Sequence, residues 1–352
     1  MNSGLLLKDY DPVSMLSVPS HEVLKPKFPV FDSHIHIGQL QMGKEEAPVD
    51  VAKMVSELKE SGIFGVINLK MFWGEALERH LKSLKGYEDF IRTFASVDVT
   101  RLEEPGFASY ADELLKGFKS MGIGGLKFWK NIGCTLKDSG GKYIRVDDGR
   151  LRPIWEAAAK YDMPVLFHIA DPKSFFTPVD KNNEFYESLI EYPSWSFYGD
   201  GRYSFEALME QQDTLLSQNP HTTFVIPHVG SCTEDLAWVG AQLDKHQNML
   251  IDIAARINLL GRQPYTARDF LIKYQDRVMF GTDYSYNAEE STQAFYADHY
   301  RFLETFDEYF RPIRAWGWGQ GRWNIYGIGL PDEVLKKIYA DNAVRLLNKL
   351  GI

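Results

Sequence analysis

The run Val30-Phe31-Asp32-Ser33-His34-Ile35-His36-Ile37-Gly38 reads as a buried strand that ends in two histidines. Side chains on a strand alternate faces with a period of two. His34 and His36 therefore point the same way, with Cα atoms roughly 6.5–7 Å apart. Two imidazoles at that spacing can grip one metal ion while Phe31, Ile35 and Ile37 fill the opposite face. A hydrolytic zinc site needs about three protein ligands, a water and a nearby base. A bare His-x-His pair also arises by chance in many proteins, so its meaning depends on how the later strands end.

From residue 30 onward, apolar β-branched runs alternate with amphipathic runs. Strands are expected at 30–37, 63–69, 91–98, 123–129, 164–169, 222–228, 249–254 and 278–283. Helices are expected at 48–61, 74–86, 107–120, from about 148, and at 204–218, 233–246, 265–275 and 332–349. Asp50 and Asp148 are candidate N-caps, and Pro153 fits a first helical turn. Strands and helices in strict alternation indicate a parallel sheet, and eight such strands close a barrel. The fold class is therefore α/β, a distorted (β/α)8 TIM barrel. Residues 1–29 form a leader, and 30–352 a single barrel with insertions at about 171–203 and 284–330.

In such a barrel the chemistry sits at the C-terminal ends of the strands. The first strand ends with His34 and His36, and the fourth carries Lys127 and Trp129. The fifth ends with His168 and the sixth with His228. The seventh carries Asp252, with Arg256 just beyond, and the eighth ends with Asp283. Any one of these has a bland explanation, such as a satisfied core histidine or an aspartate capping a turn. Four histidines and an aspartate, His34, His36, His168, His228 and Asp283, all at strand ends and none in mid-strand, point to one metal site. The other histidines, at 21, 80, 221, 246 and 299, read as surface or structural.

Composition narrows the classes. With 44% hydrophobic and 25% charged residues the chain can bury a large core. A net charge of −9 and the lack of a basic run argue against a nucleic-acid partner. No apolar stretch reaches the roughly 18 residues that span a bilayer. Cys134 and Cys232 lack a partner at ligand spacing and read as reduced, structural thiols of a cytoplasmic protein, a removed signal peptide aside. Aromatics gather in the two insertions, including Phe175, Phe176, Tyr186, Trp195, Phe197 and Tyr198 in the first. Tyr284, Tyr286 and the run 315–329 lie in the second. They suit either a lid that excludes water or a subunit interface, so a homo-oligomer, a dimer, is expected. Arg256, Arg262 and Arg322 are candidates for an acidic substrate or for surface ion pairs.

The segments FDSHIHIG, VLFHIAD, FVIPHVG, FGTDYS and IYADNAVRLL, in this order, resemble the amidohydrolase superfamily. More narrowly they resemble its amidohydrolase-related branch, which includes aminocarboxymuconate-semialdehyde decarboxylase-like and lactonase-like enzymes. The resemblance spans about residues 30–349. It implies one divalent ion at the barrel mouth, Zn2+ first and Mn2+ as an alternative. It implies His34, His36, His168 and Asp283 as ligands, and His228 hydrogen-bonding the reacting water. Asp283 would then shuttle a proton. Some superfamily members carry a carboxylated lysine on strand four between two metals; here an unmodified Lys127 facing a carboxylate is favoured. The expected substrate is a small molecule, with carboxylate-bearing compounds suggested by Lys127 and Arg256. Trp129, Phe175, Trp195 and Tyr284 are the other candidate substrate contacts. The reaction implied is metal-dependent hydrolysis of an amide, ester or lactone. Non-oxidative decarboxylation of an unsaturated or aromatic acid, by the same ligands, is the alternative.

Overall fold

A computed structural model describes residues 4–6, 9–38, 49–286, 291–312, 321 and 323–348. Its strands are β1 (Val30–His36), β2 (Ile63–Leu69), β3 (Ile91–Ala95), β4 (Gly125–Phe128), β5 (Val165–Phe167), β6 (Phe224–Ile226), β7 (Met249–Asp252), β8 (Val278–Met279) and β9 (Tyr284–Ser285). All pair in parallel in the order β8-β7-β6-β5-β4-β3-β2-β1-β9. The two ends of that order belong to one short run of chain. Residues 278–279 pair with β7 and residues 284–285 pair with β1. Between them Ser33 N donates to Phe280 O (2.9 Å) and Asp283 N to His34 O (2.8 Å). The eighth strand is thus broken at its middle, and its halves border both neighbours, as a (β/α)8 barrel requires.

Two apolar layers follow from strand alternation. Phe31, Ile67, Leu69, Phe94, Leu166, Val225 and Met279 fill the inside, and Leu346 and Leu347 of the terminal helix join them. Ile35, Ile37 and the opposite faces of the other strands pack outward against the helices. Phe31 therefore does not share a face with Ile35 and Ile37, contrary to simple alternation. The β1–β2 register slips between Asp32 and Ile35, where three residues of β1 advance against two of β2. A bulge of this kind reverses which side chains face inward.

Helix positions follow their caps. Asp50 accepts from Lys53 N, and Ser204 from Ala207 N, opening helices Val51–Glu60 and Phe205–Gln218. The second insertion holds a helix, Thr292–Glu304, that the sequence reading treats as irregular. Its buried residues Thr292, Phe295, Tyr296, His299, Tyr300 and Leu303 recur at helical spacing. The predicted helix 332–349 is interrupted by a π-helical turn, Lys337–Asp341. Residues 313–320 and Arg322 lie outside the described residues, so the run 315–329 is described only in part.

Candidate metal centre and substrate cavity

Asp32, fully buried at the edge of the bulge in β1, builds the seam between β1 and the broken eighth strand. Its Oδ1 accepts from His34 N (3.0 Å) and Thr282 N (3.2 Å). Its Oδ2 accepts from the hydroxyls of Thr282 (2.6 Å) and Tyr296 (2.7 Å). Asp252, at the end of β7, plays a matching part on the other side. It accepts from His34 Nδ1 (2.8 Å), His228 N (2.9 Å) and Ala254 N (3.0 Å). Sequence patterning places Asp252 at a strand end without giving it a role, and gives no signal for Asp32.

The backbone at this rim is strained. His228 (φ 58°), Val229 (φ 59°), Ala255 (φ 53°) and Asp283 (φ 62°) all sit in the left-handed region just past β6, β7 and β8. Such residues cost of order 1–3 kcal/mol each and persist where the surroundings force them, often at functional sites. Asp252 provides part of that force by holding the His228 amide. Asp252→Ala leaves three buried donors without an acceptor. We expect a loss of at least about 3 kcal/mol in urea unfolding, at 1–3 kcal/mol per stranded group. A loss below about 1 kcal/mol would show that Asp252 does not brace the rim.

His34 Nε2 and His36 Nε2 lie 3.3 and 3.1 Å from Asp283 Oδ1. Ligand atoms of His34, His36 and Asp283 all fall within 4.8 Å of one another. The His228 ring is 5.1 Å from that of His34. His168 stands beyond it, its Nδ1 3.3 Å from His228 Nε2. The structure thus puts His228, rather than His168, beside His34.

Hydrogen bonds on the outer side of each ring decide where its proton sits. His36 Nδ1 is 2.9 Å from Leu69 O, and His228 Nδ1 is 2.9 Å from Ala254 O. A carbonyl oxygen only accepts, so both Nδ1 atoms carry the proton. His34 Nδ1 meets the Asp252 carboxylate, and His168 Nε2 meets Asp171 Oδ1 at 3.2 Å. In the neutral rings the inward nitrogens are then bare: Nε2 of His34, His36 and His228, and Nδ1 of His168. Bare nitrogens and an Asp283 oxygen face one another, and His34 Nε2 has no hydrogen-bond partner despite its burial. A cluster of buried acceptors without a donor is costly unless a cation enters it. The residues fit a divalent metal on that ground, since outer hydrogen bonds of this kind are what orient ligating histidines.

The electrostatics agree for His36, His168 and His228 and run the other way at His34. Burial pushes His36 and His168 down to about 4 and His228 well below its usual value, the last helped by neighbouring His168 and Arg256. Burial opposes the ionised Asp283, yet His34 and His36 hold it well below the usual carboxylate range. His34 is raised despite burial, by Asp252 and Asp283. Burial also lowers Lys127 to about 8, against the pull of Asp283 and Asp252.

The buried neutral rings set a pH dependence. His36, His168 and also His80, which contacts Asn68 Nδ2 at 2.7 Å, are each lowered by burial to about 4. Between pH 6.5 and 4 the unfolded chain takes up protons that these rings refuse. Stability of the metal-free protein should therefore fall as pH falls, by about 1.4 kcal/mol per pH unit for each ring. Asp32, raised by burial to about 6, works oppositely from pH 6 down to its unfolded value of 3.8 and offsets roughly one ring. The urea midpoint should drop steadily from pH 6.5 to about 4.5; a flat or rising midpoint would mean that the rings are not held neutral.

A cavity of about 400 Å³ opens over this cluster. His34, His36, Lys127, Trp129, His168, Phe175, Trp195, His228, Arg256 and Asp283 all line it. Phe175 stacks on Trp195 (6.0 Å), which stacks on Tyr192 (4.5 Å), so the first insertion forms an aromatic wall. Tyr284, expected at the substrate, is fully buried and outside that lining; its hydroxyl meets Thr292 Oγ1 (3.0 Å) and its ring stacks on Phe295. Arg262 pairs with Glu184 (2.9 Å) and covers Trp323 instead of facing the cavity. His299, read from sequence as structural, is a lining residue, as are Lys130 and Asp171. The helical spacing around His299 is the signal that would have placed it. Cys134 and Cys232 are free and buried. Among the described residues no helix is long and apolar enough to cross a membrane.

The sequence profile of the amidohydrolase family matches residues 65–349, and the chain belongs to that family. The match begins after the His34–His36 pair. Members of the family generally use a divalent metal, and the chain is an enzyme of the family. No curated protein matches its sequence. Among solved structures it is similar to 2,6-dihydroxybenzoate decarboxylase from Rhizobium, at TM-score 0.57 and 14% identity, covering 91% of this chain and 99% of that one. It is similar to a dihydroxybenzoic acid decarboxylase from Polaromonas, solved with bound manganese and an inhibitor, at TM-score 0.56 and 14% identity, covering 91% and 97%. A structure described as a 2-pyrone-4,6-dicarboxylic acid hydrolase from Pseudomonas putida aligns at TM-score 0.51 and 14% identity, covering 92% and 98%. At these identities the likeness speaks for the barrel fold.

Proposed function

We propose that the chain is a mononuclear metal-dependent hydrolase that cleaves the C–O or C–N bond of a small, carboxylate-bearing substrate. The observation that carries this reading is the ring of bare imidazole nitrogens turned toward Asp283. His34, His36 and Asp283 would hold the ion, with His168 as the fourth ligand and Zn2+ the first candidate. A divalent cation there supplies Lewis acidity and makes water acidic near neutral pH. Asp283, kept ionised by its histidine neighbours, takes the proton from the attacking water. His228 uses its bare Nε2 to hold that water by hydrogen bond, with its own ring anchored on Ala254 O. Lys127 and Arg256 pair with a substrate carboxylate, and Trp129, Phe175 and Trp195 pack its apolar part and exclude bulk water. Arg256 donates one bond, to Ala255 O, and has further donors available for a carboxylate.

Decarboxylation is the second reading, favoured by the same pairing of cations with an aromatic wall. That lining suits a planar acid as well as it suits a lactone, and structural relatives carry both kinds of name. A panel of lactones, esters, amides and aromatic carboxylates, read by acid release and by CO2 release, separates them. Acid release without CO2 supports hydrolysis. CO2 release without ring or ester opening would replace it with decarboxylation.

A further inference from the structure

We propose that Asp171 and Lys130 form a positioning pair that fixes the His168 ring so that Nδ1, and not Nε2, faces the metal centre. This inference rests on the metal-site reading above. His168 directly follows β5, its backbone N donating to Phe128 O (3.1 Å), and Asp171 lies on the irregular stretch beyond, so the ring's angle is left to its side-chain partners. Its outer nitrogen, Nε2, has Asp171 Oδ1 at 3.2 Å as acceptor. The other carboxylate oxygen of Asp171 is bound by Lys130 Nζ. Both side chains of the pair are largely buried, at 13% exposure for Lys130 and 8% for Asp171. Lys130 is itself braced, with Nζ 5.4 Å from the Trp129 ring centre and 5.3 Å from that of Phe197. Phe197 belongs to the first insertion and stacks on Phe176.

The chain of contacts has a direction. The insertion holds Phe197, which confines Lys130; Lys130 confines Asp171; Asp171 accepts a hydrogen bond from Nε2–H and leaves Nδ1 bare. The other three rings get the same service from Leu69 O, Ala254 O and Asp252. His168 alone among the four depends on an ion pair that also lines the substrate cavity. Asp171 and Lys130 are thus positioning residues, acting through His168.

The test uses the full chain loaded with Zn2+, with histidine ring nitrogens labelled for NMR. In the wild type, His168 should show a slowly exchanging proton on Nε2. Asp171→Ala should speed exchange of that proton and raise the Zn2+ dissociation constant about 10–100-fold. Lys130→Met should raise it less. A pair that served stability alone would leave zinc affinity and the exchange rate unmoved. Two results overturn the proposal: a proton on Nδ1 of His168 in the wild type, or zinc affinity in Asp171→Ala within about twofold of wild type. If Asp171→Ala does not fold, the wild-type spectrum still decides. A wild type that binds no zinc would overturn the metal site itself, a failure visible before any variant is made.

Discussion

His34→Ala is expected to remove the metal and the activity together. His34 Nε2 is a buried nitrogen with no hydrogen-bond partner, and the ring also touches Asp252, Asp283 and His228. Truncating it opens the ligand cluster and takes one partner from each of two carboxylates, Asp252 and Asp283. Metal content should fall from near one to below about 0.1 atom per chain, with turnover at least about 10³-fold lower, as expected when the water-activating ion is lost. Elemental analysis of the purified variant, alongside turnover on whichever substrate the panel selects, checks both. A variant that keeps its metal would show that His34 is not a ligand.

His228→Asn carries the second large effect, and its pattern differs. Asparagine can still donate to Ala254 O through its amide nitrogen, so the loop past β6 should keep its course. What disappears is the inward imidazole nitrogen that holds and relays protons. Removing a positioned acid–base group costs typically 10²–10⁴ in rate, so turnover should fall by about that factor while the metal stays. The geometry makes the result informative, because the His228 ring lies 5.1 Å from His34 and stands between it and His168. If His228→Asn loses its metal, then His228 is a ligand and the roles of the two histidines exchange.

The barrel could be read from the sequence because each strand is a short apolar run set off by an amphipathic helix. β2 runs over Ile63–Leu69 and the third helix over Phe107–Ser120, matching their expected bounds. Strand ends were read too long, as at 222–228, where the ladder spans only Phe224–Ile226. The reason is physical. Beyond Ile226 the chain turns through left-handed residues that aim His228 inward, and apolar patterning carries no trace of such a turn. The bulge at Asp32 was hidden for the same reason, since register depends on the partner strand. The helix Thr292–Glu304 is hard to read from sequence because its buried face is mostly aromatic rings, histidine and threonine, with Leu303 its one branched aliphatic residue.

The residues that line the cavity were mostly readable as polar groups at strand ends, because a barrel gathers those ends. Their supports were not. Asp32, Asp252 and Lys130 act through contacts with residues far away in sequence, as Asp32 does with Thr282 and Tyr296, and Asp171 is held for its neighbour His168 by the distant Lys130. Tyr284 erred in the other direction: next to Asp283 in sequence, it alternates away from the cavity and into the packing of Phe295.

One measurement bears on all of this most directly: the count of metal atoms per chain in the purified protein, by elemental analysis. His34, His36, His168 and Asp283 around a single ion predict a value near one. A value near two would put a second ion beside Lys127 and make that lysine a bridging ligand. A value near zero, after incubation with Zn2+ or Mn2+ and removal of excess, would contradict the metal centre outright.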